Sequence, residues 1–134
     1  ISRGEAGVLM HGPTFMANPL ACAIAVESLK MLNEQDMATR VAHIEAKLKT
    51  GLTPARELPG VADVRVIGSI GVIEVERPVD VGEFQKRCVE AGVWIRPFGR
   101  NVYIMPAYII SDDDLDTLTS AMVRLVKELP GHAD

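Results

Sequence analysis

VADVRVIGSIGVIEVE, residues Val61–Glu76, carries the reading on which the fold turns. Val61–Val66 and Ile70–Glu76 are rich in β-branched residues and alternate between apolar and polar. Alternation with period two sends one set of side chains to each face of a strand. Gly68-Ser69 between the two runs is a turn signal. The stretch predicts two neighbouring strands, each with one buried face.

Toward the N-terminus, Met37, Val41, Ile44 and Leu48 recur at helical spacing. They predict a helix over about Asp36–Thr50, closed by Gly51, with TPARELPG (53–60) as a loop before the first strand. Asn18-Pro19 is a helix start, with Asn as the cap and Pro at the first helical position. That helix is expected over about Pro19–Asn33. Its first half, LACAIAV (20–26), is apolar all round, and its second, ESLKMLNE (27–34), is amphipathic. Such a change along one helix predicts a connector that leaves one packed body and enters another. Residues 1–18 read as loop, with a short buried strand at Val8–Met10.

Toward the C-terminus, Asp80 and Glu83 have capping-box spacing, and Val81, Phe84 and Cys88 are expected to face the core. Ala91-Gly92-Val93 breaks that helix. Strands are expected at Val93–Arg96 and Val102–Met105, joined through PFGRN (97–101). Ser111 caps a last helix whose first turn holds Asp112, Asp113 and Asp114, the sign that suits the helix dipole. Leu115, Leu118, Met122 and Leu125 form its inner stripe, and ELPGHAD (128–134) reads as a frayed end. The order α-α-β-β-α-β-β-α predicts a two-layer α/β (α+β) domain. Its four-stranded, largely antiparallel sheet carries helices on one face.

The 134 residues are enough for one core. Hydrophobic residues make up 48% and charged residues 24%, and the net charge of −4 comes from interspersed acids and bases rather than a basic cluster. This argues against a nucleic-acid surface. No run is long enough to span a membrane. The opening ISRGEAGVLM lacks the pattern of a signal peptide, so a cytoplasmic protein is expected. The absence of an initial Met predicts a piece of a longer chain. Cys22 and Cys88 sit in apolar helical patterns and read as two buried thiols in a reducing compartment. No Cys/His cluster has metal-ligand spacing, so no metal is expected. His11, His43 and His132 are scattered, and His43 is expected in solvent.

Two stretches could carry chemistry. In HGPT (11–14), Gly12 allows close approach, and Pro13 fixes the turn that directs the Thr14 hydroxyl and N–H. Rigid donors ahead of a helix start suit an anion, most often phosphate. An ordinary Pro turn in which Thr bonds its own backbone is the alternative. In GVWIRPFGRNVYIMPAYII (92–110), Arg96 ends an apolar strand. A half-buried Arg needs a partner, either a protein carboxylate or a ligand carboxylate held by the guanidinium fork. Trp94, Tyr103 and Tyr108 fall in the same stretch of a chain with six aromatics.

These segments, in order, resemble the class III, fold-type I aminotransferases. HGPTFMANPLACAIA (11–25) is similar to their H-G-x-T-x-x-x-N-P-L-A-x-A segment. Val61–Glu76 is similar to their small-domain hairpin, and residues 92–122 to their closing strand-strand-helix unit. Pro13, Met16 and Trp94 further resemble one member of the class. The resemblance implies pyridoxal 5′-phosphate as cofactor, with Pro13 and Thr14 contacting its phosphate across a homodimer, in the neighbouring subunit. It implies substrate contacts for Gly12, Arg96 and Tyr103, with Arg96 on a keto-acid carboxylate. Residues 1–18 would end the large cofactor domain, 19–34 connect the domains, and 35–134 form the small domain. The family's Schiff-base lysine precedes the HG-x-T segment, so no catalytic residue is assigned here. Lys30, Lys47, Lys49, Lys86 and Lys127 occupy polar helical positions, and none takes that role. Members acting on ornithine, 4-aminobutyrate or a diamine are alternatives. So is a free-standing α/β regulatory module for a small carboxylate, although such a module would not open on a helix as apolar as LACAIAV.

Overall fold

The computed structural model describes residue 12 and residues 14–129. The expected strand at Val8–Met10, together with Pro13, His11 and Pro130–Asp134, lies outside the described residues. The chain divides into two compact units, one up to Met37 and one from Ala38.

The first unit holds α1, Pro19–Glu34. It forms where the sequence signals it: Pro19 is at the first turn, and the Asn18 side chain accepts from Ala21 N at 3.0 Å. None of its residues is buried, and Leu20, Ile24, Val26, Leu29 and Met31 are all exposed. Cys22 is exposed too, a correction to the expected buried thiol.

The second unit is the two-layer domain. Its elements are α2 (Met37–Leu52), a 3-10 turn at Thr53–Glu57, β1 (Val61–Ile67), β2 (Ile70–Val75), α3 (Val81–Glu90), β3 (Arg96–Phe98), β4 (Asn101–Ile104) and α4 (Asp112–Lys127). The four strands form one sheet in the order β1-β2-β4-β3, and every neighbouring pair is antiparallel. Val64, Ile73, Val75, Val102 and Ile104 point to the helical side. There they join Ile44, Leu48 and Leu52 of α2, Phe84 and Cys88 of α3, and Leu115, Met122, Leu125 and Val126 of α4 in one core. The caps are as the sequence signals: Asp80 accepts from Glu83 N at 3.0 Å, and Ser111 Oγ accepts from Asp114 N at 3.1 Å.

Several boundaries differ from expectation for local reasons. Gly51 lies inside α2 rather than ending it, because α4 passes so close that a Cβ there would meet Thr119 Oγ1 at 2.5 Å. Gly71 similarly makes room for Leu52, whose Cδ1 would be 2.7 Å from an added Cβ. The expected loop after α2 is partly helical, with Pro54 in the first turn of the 3-10 segment. Val81 at the start of α3 is exposed, not in the core. The strand expected at Val93–Arg96 instead occupies Arg96–Phe98. Val93 N is taken by Cys88 O at 2.9 Å, closing the end of α3, so pairing begins only at Arg96. Leu129 is buried on the core rather than frayed.

Candidate functional site

Each unit carries one of the two stretches singled out by sequence. In the first unit, Gly12 and Thr14 are exposed. The chain then turns sharply: Asn18 N bonds Phe15 O at 2.8 Å, and Met16 and Ala17 both hold left-handed backbone angles, φ 47° and 57°. Two consecutive non-glycine residues in that region are uncommon and cost about 1–3 kcal/mol each. The turn delivers the chain from Thr14 to the start of α1, whose first turn contains no acidic residue. A Cβ at Gly12 would touch nothing within 4 Å among the described residues. An exposed hydroxyl and a helix start capped by a neutral side chain, with no acid in its first turn, fit a phosphate-bearing cofactor.

In the second unit, the helices cover one face of the sheet and leave the other open. The register places Arg65, Val72, Tyr103 and Arg96 in one row across β1, β2, β4 and β3. Asp63, Glu74, Asn101 and Phe98 form the next row. Arg96 and Tyr103 are thus direct cross-strand neighbours on the open face, and the structure brings these two expected substrate residues together. Arg96 opens its strand and is exposed, where the sequence suggested a half-buried residue at a strand end. Among the described residues it makes no ion pair or hydrogen bond, so the expected protein partner is not among them. Pro97, between Arg96 and Phe98, suits an edge strand because it has no N–H to leave unpaired. Tyr103 is half-buried, and Phe98 and Trp94 are largely exposed. A shallow groove of about 310 Å³ is lined by Arg65, Val72, Phe98, Asn101 and Tyr103.

Period-two alternation placed Arg65 and Glu74 on a polar face, but sequence reasoning missed what they form. Arg65 Nη1 donates to Glu74 Oε2 at 2.8 Å and to Asp63 Oδ2 at 3.0 Å, and its Nη2 donates to Asn101 Oδ1 at 3.0 Å. Arg100 Nη2 donates to the other Glu74 oxygen at 2.8 Å. The hydrogen bonds to Glu74 and then Asp63 raise the Arg65 pKa above its ordinary value. Tyr108 is exposed, and its carbonyl and that of Ile110 accept from Arg40, which ties the segment after β4 to α2.

None of the five lysines is buried. Lys30, Lys47, Lys49 and Lys86 pair with Glu27, Asp116, Glu45 and Glu83, and Lys127 is exposed. Burial pushes the Cys88 thiol pKa up, the condition of an inert core cysteine. His43 is exposed, as expected, and its Nε2 also bonds Asp112 Oδ1 at 2.8 Å. No group of three or more metal-ligating side chains occurs among the described residues, and no helix there is long and apolar enough to cross a membrane.

The chain belongs to the class III aminotransferase family, whose pattern matches residues 2–126. It is 54% identical over 125 residues to adenosylmethionine-8-amino-7-oxononanoate aminotransferase of Mycobacterium leprae, covering 93% of this chain and 29% of that protein. The yeast (Saccharomyces cerevisiae) enzyme of the same name is 36% identical, over 94% of this chain and 28% of its own length. The crystal structure of the Methanocaldococcus jannaschii enzyme of that name superposes with a TM-score of 0.75 at 24% identity, over 91% of this chain and 30% of that one, which bears on the fold alone. The chain therefore spans under a third of the length of these relatives.

Proposed function

We propose that the chain is the C-terminal part of a pyridoxal 5′-phosphate-dependent aminotransferase of biotin biosynthesis. The complete enzyme, a cytoplasmic homodimer, converts 8-amino-7-oxononanoate to 7,8-diaminononanoate with S-adenosylmethionine as amino donor. Residues 1–18 end the cofactor domain, 19–34 connect the domains and 35–134 form the small domain. The observation that carries this reading is Arg96: a guanidinium with no partner among the described residues, beside Tyr103 on an open sheet face. The similarity to relatives of that name supports the choice of substrate.

The cofactor, when bound, supplies the aldehyde carbon and the electron-accepting ring through which an amino group passes between substrates. This chain's residues bind and orient. Thr14, with Pro13, holds the phosphate of the cofactor seated in the neighbouring subunit, and Gly12 leaves room for substrate. Arg96 grips the keto-acid carboxylate with two parallel N–H bonds, and Tyr103 borders the same position. The cofactor-bearing lysine belongs to the preceding part of the enzyme, consistent with the five exposed or ion-paired lysines here.

The test is single-turnover kinetics on the full-length enzyme. Arg96→Lys keeps charge but loses the fork. The keto-acid half-reaction is expected to slow tenfold to a hundredfold, the equivalent of about 1.5–3 kcal/mol for a hydrogen bond to a charged group. The amino-donor half-reaction is expected to suffer less. Thr14→Val should weaken cofactor retention in both halves. An unchanged keto-acid half-reaction in Arg96→Lys would remove the carboxylate role.

A further inference from the structure

Arg65 and Glu74 belong to the hairpin that sets the fold, and the chemistry above gives neither a role. Both put charge on the same open face as Arg96. Arg65 lines the groove at its β1 margin, and Arg96 stands just past the β3 margin, paired across the strands with the lining residue Tyr103. The two lie in one row on the outermost strands, about 14 Å apart at the backbone from three interstrand spacings. An anionic chain lying in the groove could present its carboxylate to either margin. Arg100, in the turn joining β3 to β4, is a third guanidinium, bonded to Glu74.

The electrostatics of the two margins differ. Glu74, with its side chain 22% exposed, divides its carboxylate, giving one oxygen to Arg65 and the other to Arg100. Asp63 and Asn101 take two more of the five Arg65 N–H donors, so three of the five are committed within the cluster. Two guanidiniums and two carboxylates form a locally neutral, hydrogen-bonded cluster. Without the Glu74 charge the cluster gains a net positive charge. Arg65 would retain Asp63, whereas the Arg100 side chain has no other partner among the described residues.

We propose that Glu74 is a positioning residue that fixes where a substrate carboxylate docks: by tying up Arg65 and Arg100 it leaves Arg96 as the guanidinium on this face free to receive an anion. The inference rests on the carboxylate role of Arg96 proposed above. It makes Glu74 a determinant of binding register that need not touch the substrate.

The experiment uses the full-length holoenzyme with Glu74→Gln, which keeps the side-chain shape and one carbonyl acceptor but removes the charge. Steady-state kinetics are compared for 8-amino-7-oxononanoate and its methyl ester. With the acid, kcat and KM should fall together and leave kcat/KM unchanged, the signature of a non-productive binding mode. The fall should be at least about twofold, the value when a second site binds as well as Arg96. With the ester, which lacks the anion, both constants should match the unmodified enzyme. Adding Arg100→Gln to the Glu74→Gln enzyme should restore kcat. Unchanged constants with the acid, or an equal loss with acid and ester, would overturn the role of Glu74. Failure of the underlying reading shows separately: Arg96→Gln would then preserve the discrimination between acid and ester.

Discussion

A methyl group at Gly51 would sit 2.5 Å from Thr119 Oγ1 and 2.8 Å from its Cβ. Helix propensity alone says that alanine here should stabilise α2 by about 0.8–1 kcal/mol. Overpacking opposes it at about 1–3 kcal/mol, because Thr119 is buried and its hydroxyl is committed to the Leu115 carbonyl. The steric term should win, so Gly51→Ala is expected to lower the denaturation midpoint. Thr119→Ala in the same background should recover part of the loss, since it removes two of the three close atoms. A midpoint that rises in Gly51→Ala would show that α2 and α4 can move apart at no cost. The same residue shows where sequence reading stops. A glycine after Leu48 and Thr50 carries the signature of a helix end, and only the approach of α4, some seventy residues away, explains it as a packing position. Arg96 is a parallel case. Its type and its apolar neighbours were legible as a candidate anion site, but its place at the start of an edge strand depends on pairing with Tyr103.

At the scale of elements, signals that act within a few residues gave accurate boundaries. Asn18, Asp80 and Ser111 all cap their helices through the bonds their side chains imply. Errors arose where an apolar run had two possible uses: Val93–Ile95 looks like a strand but serves to close α3 and reach the core. The apolar stripes of α2 and α4 were legible, but the polar pairs between the two helices were not, because they join residues far apart in sequence. His43 meets Asp112 and Lys47 meets Asp116, one turn apart on each helix. The hydrogen bond from His43 is the chief cause that lowers the Asp112 pKa below its ordinary 3.8. A depressed carboxylate contributes stability that is fully present above the unfolded value and is lost as pH falls through the folded one. A double-mutant cycle of His43→Ala and Asp112→Asn should therefore show favourable coupling at pH 5–6. That coupling should fade as pH drops below about 3.8 toward the lower folded value. Thermal melts across that range measure it. Coupling that stays constant to the acid limit would mean that the pair does not rely on the ionised carboxylate.

Across the whole chain, the sequence foretold a helix too apolar for a polar surface, and α1 has that character without a buried residue. Leu20 is 70% exposed and Ile24 60%, Met31 lies on the same face three turns on, and Val26 and Leu29 project from other sides of the helix. In the proposed reading this helix is the connector, and the rest of the aminotransferase covers it. The described residues bury none of α1, and soluble monomers seldom expose contiguous apolar patches beyond a few hundred Å². The isolated chain is therefore expected to self-associate through α1. Sedimentation velocity should show dimers or larger species whose share grows with concentration. Leu20→Gln with Ile24→Gln should shift the distribution toward monomer while leaving the melting of the second unit unchanged, because neither residue belongs to its core. Strict monomers of the unmodified chain at high concentration would remove the argument for α1 as a covered surface. Self-association that persists in the double variant would place the contact elsewhere, with the exposed Trp94 and Phe98 of the second unit the next surface to test.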